Sequence, residues 1–193
     1  MTKYILVGGY IQKVKDGGKS FCEELVKGFN FTRPVKILDC MFARPKESWE
    51  EKFQEDQVLL SKYINNFRLE LADASKFTGQ VKASDVVFLR GGETDILMEM
   101  LAESGDWVKY LDGKTVAGTS AGAMAISKYS YDIETLESKD YLGLLPVKVI
   151  PHFDSDYNAP NVNWKKALQE LKNYKEDLPT YPLKEGEFVV IKA

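Results

Sequence analysis

Short apolar runs alternate along the chain with longer stretches in which apolar residues recur every three or four positions. The runs Tyr4–Val7, Val35–Phe42, Phe67–Leu71, Val86–Leu89, Thr115–Ala117, Val147–Ile150 and Phe188–Ile191 read as strands. Most have the near-continuous apolar character of strands covered on both faces. Between them, Trp49, Phe53, Leu60 and Ile64 share one helical face, as do Ile96, Leu97, Met100 and Leu101. Trp164, Ala167, Leu168, Leu171 and Tyr174 form a third stripe, and the aromatic residues in these stripes are expected in the core. The alternation predicts an α/β fold: a single-domain, three-layer sandwich over residues 1–193, with a mainly parallel sheet and helices on both faces. The polar segment Ser127–Leu145, with Asp132, Glu134, Glu137 and Asp140, breaks the pattern. It is expected as a loop or hairpin near the C-terminal edge of the sheet, where open α/β sheets bind ligands.

Composition narrows the function classes. The 193 residues are 44% hydrophobic and 28% charged, the balance of a soluble globular domain. A net charge of −3 gives no general basic surface for nucleic acid or an anionic membrane. The apolar segment Ile5-Leu6-Val7 ends at Gly8-Gly9, too short for a signal-peptide core or a membrane span, so a cytoplasmic location is expected. The two cysteines, Cys22 and Cys40, lack metal-ligand spacing, and with one histidine in the chain no metal site is expected.

The most informative segment is Thr115-Val116-Ala117-Gly118-Thr119-Ser120-Ala121-Gly122-Ala123-Met124-Ala125-Ile126. An apolar strand runs into Gly-Thr-Ser-Ala-Gly and then into a helix of small residues. This is the G-x-S-x-G nucleophile elbow in its strand–turn–helix context. Such a turn projects the Ser120 hydroxyl above the sheet, and glycines on either side keep side chains out of the way of neighbouring backbone. The helix that follows points N–H groups at developing negative charge. Ala121 supplies the N–H just after the nucleophile, a usual oxyanion donor.

A serine hydroxyl needs a base, and His152 is the single histidine. It follows the strand pattern Val147-Lys148-Val149-Ile150-Pro151, which places it at the edge where the elbow projects. The buried run Val86–Leu89 leads into a second glycine turn, Arg90-Gly91-Gly92, where the Gly92 N–H would make the second oxyanion donor, or where the glycines serve only as a turn before a helix capped by Thr94 or Asp95. Gly8-Gly9 lacks the G-x-G-x-x-G pattern, so no dinucleotide site or organic cofactor is expected.

With these residues in place, the chain resembles the peptidase E family of serine peptidases, which includes aspartyl dipeptidases and cyanophycinases. The matching segments are Gly118-Thr119-Ser120-Ala121-Gly122-Ala123, Arg90-Gly91-Gly92, Pro151-His152-Phe153 and Leu183-Lys184-Glu185-Gly186, in the family's order. The resemblance implies a fold like the class I glutamine amidotransferase domain, with flavodoxin-like layering, and a Ser–His–acid triad that hydrolyses a small peptide. Carried over by position, Ser120 is the nucleophile, His152 the base, and Gly92 and Ala121 the oxyanion donors. Glu185 matches the acid that precedes a glycine near the C-terminus. Asp154 has the H-x-acid spacing of related amidotransferases, and Glu134 or Glu137 would suit members whose acid lies between serine and histidine.

Two features depart from the family pattern. Aspartyl dipeptidases hold the substrate's N-terminal aspartate with an arginine near the start of the helix after the histidine. Here the stretch reads Asn163-Trp164-Lys165-Lys166, leaving Lys165 or Lys166 to pair with a carboxylate without arginine's bidentate fork. Ala193 also follows the last strand pattern directly, where a terminal hairpin is usual. Either the site is more open there or a partner subunit covers the edge, as in a homodimer. The leading expectation is a serine peptidase for short peptides. An esterase or amidase on the same triad is the second, and a non-catalytic binding protein the third. Glutamine amidotransfer is disfavoured by serine in place of cysteine, and the α/β-hydrolase fold by an acid that follows the histidine.

Overall fold

A computed structural model describes residues 1–156 and 162–193. Its ten strands form two sheets among the described residues. The strands are β1 (Lys3–Val7), β2 (Val35–Cys40), β3 (Phe67–Leu71), β4 (Val86–Leu89), β5 (Thr115–Thr119), β6 (Ser127–Asp132), β7 (Glu137–Asp140), β8 (Leu145–Ile150), β9 (Thr180–Pro182) and β10 (Phe188–Lys192). The larger sheet has the order β10-β1-β5-β4-β2-β3. Every pairing in it is parallel except β1 with β10.

Alternation along β1 shows how the sheet is covered. Tyr4 and Leu6 enter one apolar cluster, and Ile5 and Val7 enter the other. The helices α1 (Lys19–Val26) and α2 (Trp49–Ser61) cover the Ile5/Val7 face through Phe21, Leu25, Leu59 and Leu60. On the opposite face lie α3 (Phe77–Ala83), α4 (Thr94–Glu103) and α5 (Ala121–Ile126). Leu97 and Leu101 anchor α4 there, each contributing roughly 1.5–3 kcal/mol by burial. The result is the expected α/β fold, mainly parallel with helices on both faces.

The second sheet is the main difference from expectation. Ser127–Leu145 does hold a hairpin, β6 paired antiparallel with β7. That hairpin belongs to a separate sheet of order β7-β6-β8-β9, with β6–β8 and β8–β9 parallel. The run Val147–Ile150 therefore does not extend the main sheet. Leu145, Val147 and Val149 pack into the cluster that holds α5, while Ile150, Tyr129 and Tyr131 face α6 (Trp164–Asn173) on the other side. β8 is thus covered on both faces, which is why its sequence looks like a central strand of the main sheet. No helix among the described residues is long and apolar enough to cross a membrane.

Candidate active site

Three turns at the C-terminal edge of the main sheet converge with the end of β8. Ser120 joins β5 to α5 with φ 49° and ψ −112°, a conformation that L residues rarely adopt. The turn is held by its Ser120 N–H, which donates to Val7 O at 3.0 Å, and by Met124 N–H, which donates to Ser120 O at 3.0 Å. Small residues make this tightness feasible. A Cβ on Gly122 would fall 2.1 Å from Leu89 O, so α5 packs on β4 as no larger residue would allow.

His152 follows β8 with φ 54°, and its N–H donates to Gly8 O at 2.6 Å. This ties the second sheet to the turn after β1 and delivers the imidazole to Ser120. Its Nε2 lies 2.8 Å from Ser120 Oγ and its Nδ1 lies 2.7 Å from Glu185 Oε1. With the imidazole neutral, Nδ1–H donates to the carboxylate and Nε2 is left to accept the serine proton. His152 is buried and Glu185 half-buried, while Ser120 keeps partial exposure.

Glu185 is fixed by more than the histidine. Ser155 Oγ donates to its Oε1 at 2.9 Å, and Tyr10 N–H donates to its Oε2 at 2.9 Å. Burial alone would raise the Glu185 pKa. The His152 hydrogen bond and charge, then Ser155 and Tyr10, outweigh it and hold the carboxyl below its ordinary value.

Two amides are placed near Ser120. Gly91 N–H donates to Thr119 Oγ1 at 3.0 Å, which seats the Gly91-Gly92 turn beside the serine. Among the described residues no acceptor meets the Gly92 N–H, and the Ala121 N–H is the first of its helix, where no intrahelical acceptor exists. Both amides are thus left without a backbone acceptor among the described residues.

Residues 47–193, which contain Ser120, His152 and Glu185, match the profile of peptidase family S51. The chain belongs to this family of serine-type peptidases. The S51 assignment agrees with the resemblance to peptidase E. Two solved structures have the same fold: a peptidase from an acI-B1 Actinobacterium, and a protein of Listeria monocytogenes EGD-e that carries the peptidase E name. The first is 21% identical with a TM-score of 0.67, covering 100% of this chain and 84% of that one. The second is 19% identical with a TM-score of 0.70, covering 99% of this chain and 94% of that one. A curated relative, the pyridoxal 5'-phosphate synthase subunit PdxT of Archaeoglobus fulgidus, is 36% identical over 80 residues. That match spans 39% of this chain and 40% of the relative's length.

Within this S51 chain the other carboxylate candidates stand elsewhere. Asp154 pairs with Lys184 at 2.8 Å. Glu137 is exposed at the start of β7. Glu134 is exposed in the turn before it, where some burial and the charges of Glu93, Asp132 and Asp95 push its pKa up. Lys165 and Lys166 are exposed in the first turn of α6. That turn is capped by Asn163 Oδ1, which accepts the Lys166 N–H at 3.0 Å, and is tied towards the site by Trp164, whose ring packs edge-on against Phe153 at 5.4 Å.

Three residues with a part in the site were not singled out from sequence. Gly9 backs directly onto the His152–Glu185 pair, where a Cβ would fall 2.1 Å from Glu185 Oε2. Tyr10 adds its N–H to Glu185 and sets its ring edge-on to His152, with centroids 6.4 Å apart. Ser155 is the third. The Gly8-Gly9 pair after the first strand was the one signal available, and Gly9 there lets the backbone approach the imidazole closely.

Proposed function

We propose that the protein is a serine peptidase that hydrolyses short peptides, dipeptides among them, through Ser120, His152 and Glu185. The observation that carries this is the chain of contacts from Glu185 to His152 at 2.7 Å and from His152 to Ser120 at 2.8 Å, ending at a strained serine turn. Membership of family S51 supports the reaction class.

The geometry supports the following chemistry. Ser120 Oγ attacks the scissile carbonyl carbon as its proton passes to His152 Nε2. The carbonyl oxygen becomes an oxyanion between the Gly92 and Ala121 N–H groups. The imidazolium is stabilised by Glu185 and gives its proton to the leaving amine as the C–N bond breaks. Water then attacks the acyl-enzyme, losing its proton to His152, and the acid product leaves as Ser120 recovers its hydrogen. Lys165 and Lys166 are the candidate partners for a substrate carboxylate, with a single-point charge in place of a fork. The site residues themselves supply the acid, base and electrophilic groups that the reaction requires. A cytoplasmic setting fits two buried cysteines held as free thiols.

Labelling with a fluorophosphonate tests the assignment. The account expects one adduct, mapped to Ser120, that disappears in Ser120→Ala and slows by orders of magnitude in a His152 variant. Folded wild-type protein that takes no label at Ser120 would refute it.

A further inference from the structure

Behind the Arg90-Gly91-Gly92 turn lies a pair of buried carboxyl groups that the Ser120 chemistry does not use. Asp39, near the end of β2, is fully buried, and it shares its side of the strand with Ile37, the side that α1 and α2 cover. Asp56, on α2, is also buried and places Oδ2 2.8 Å from Arg90 Nε, the two side chains being 4% and 14% exposed. The Arg90 guanidinium lies over the Phe88 ring, 4.8 Å from its centroid. Among the described residues no donor reaches either oxygen of Asp39.

Two ionised carboxylates cannot share such a place cheaply, since each would keep its desolvation cost and repel the other. The arrangement is satisfied when Asp39 keeps its proton and Asp56 is the anion that holds Arg90. Burial, then the Asp56 charge, pushes the Asp39 carboxyl well above its ordinary range. Burial raises Asp56 as well, while Arg90 and the Asp39 hydrogen bond pull it back. Arg44 acts on both carboxyls.

Backbone contacts transmit this anchoring. Arg90 N–H donates to Cys40 O at 3.0 Å and Glu93 N–H donates to Ala43 O at 2.7 Å. Gly92 presses on the same segment so closely that a Cβ would fall 2.1 Å from Ala43 O. The turn is thus clamped on the β2 side by Arg90 and Ala43, and on the Ser120 side by Thr119.

We propose that Arg90, ion-paired with buried Asp56 beside Asp39, is a positioning residue that fixes the aim of the Gly92 N–H at the substrate oxyanion. The inference rests on the proposed role of Gly92 as an oxyanion donor.

The test measures p-nitrophenyl acetate hydrolysis by wild type, Arg90→Met, Arg90→Lys and Asp56→Asn, with fluorophosphonate labelling of wild type in parallel. Arg90→Met and Asp56→Asn are expected to lose about 10- to 100-fold in kcat with KM within about twofold, because a misaimed donor weakens only the charged transition state. Arg90→Lys should recover part of the loss. Should Arg90→Met fail to fold, Asp56→Asn and Arg90→Lys decide the matter by the same kcat-against-KM split. Folded variants with wild-type kcat, or with a loss confined to KM, would overturn the inference while leaving the peptidase proposal intact. Wild type that neither labels at Ser120 nor hydrolyses the ester would overturn both.

Discussion

Glu185 Oε1 lies 2.7 Å from His152 Nδ1 although the two residues stand 33 positions apart in the chain. The contact is made between the two sheets, since His152 follows β8 and Glu185 lies in the turn before β10. In the proposed mechanism the carboxylate there orients the ring and stabilises the imidazolium. Glu185→Gln is nearly isosteric but cannot do both. Its kcat is expected to fall by on the order of 10³- to 10⁴-fold with KM changed little, measured by steady-state hydrolysis of the best wild-type substrate. A loss below about tenfold would mean that another group serves as the acid.

Gly9 shows how little room that contact has. An alanine methyl would fall 2.6 Å from His152 Nδ1 as well as 2.1 Å from Glu185 Oε2. Either the pair moves apart or the turn after β1 shifts. Displacement of reacting groups by an ångström costs about 10²-fold, so Gly9→Ala is expected to lose at least that in kcat. Kinetics with circular dichroism on the same sample would check it, and an active, unperturbed Gly9→Ala would contradict the geometry.

The buried Asp39 makes a prediction about stability and pH. Folding raises its pKa well above the ordinary 3.8, through burial and the facing Asp56, against the opposing charges of Arg90 and Arg44. Between the unfolded and folded values the native state holds more protons than the unfolded chain, so this group's contribution to stability falls as pH rises through that window. Asp39→Asn carries no such proton. The melting temperature of the variant minus that of wild type should therefore grow as pH is raised from near 3.8 towards neutrality. A difference that stays flat across the range would show Asp39 to be ionised in the native protein.

Lys148 supports the sheet that delivers His152. It is fully buried in β8, and its Nζ donates to Lys172 O at 2.8 Å and to Tyr174 O at 2.7 Å, closing the C-terminal end of α6. Burial lowers its pKa, and Asp177 and Glu176 work against that. Lys148→Met fills similar space but strips two helix-end carbonyls of their donor. The expected loss is about 2–3 kcal/mol, or roughly 4–12 °C in melting temperature by calorimetry.

Legibility in the sequence followed the range of the contact involved. Ser120 and its flanking glycines announce themselves because the elbow is made by neighbours in the chain: Gly118, Ala121 and Gly122 all serve the same tight turn. His152 stood out as the one histidine after a strand pattern. Glu185, Gly9 and Ser155 meet only after both sheets have packed, so Glu185 was favoured only by its place before Gly186, with Asp154, Glu134 and Glu137 as alternatives. The second sheet was hidden for a similar reason, since β8 is covered on both faces and β9, at Thr180–Pro182, is too short to leave a pattern. Asp39 did leave a signal. It is a charge on the Ile37 side of an otherwise apolar strand, and such a residue needs a partner wherever the fold buries it.

The most direct measurement is hydrolysis of a dipeptide panel, including members with N-terminal aspartate, by wild type and Ser120→Ala side by side. The account predicts turnover of at least one dipeptide by wild type and its loss in Ser120→Ala. Folded wild-type protein inert on every peptide, or activity that survives in Ser120→Ala, would contradict it.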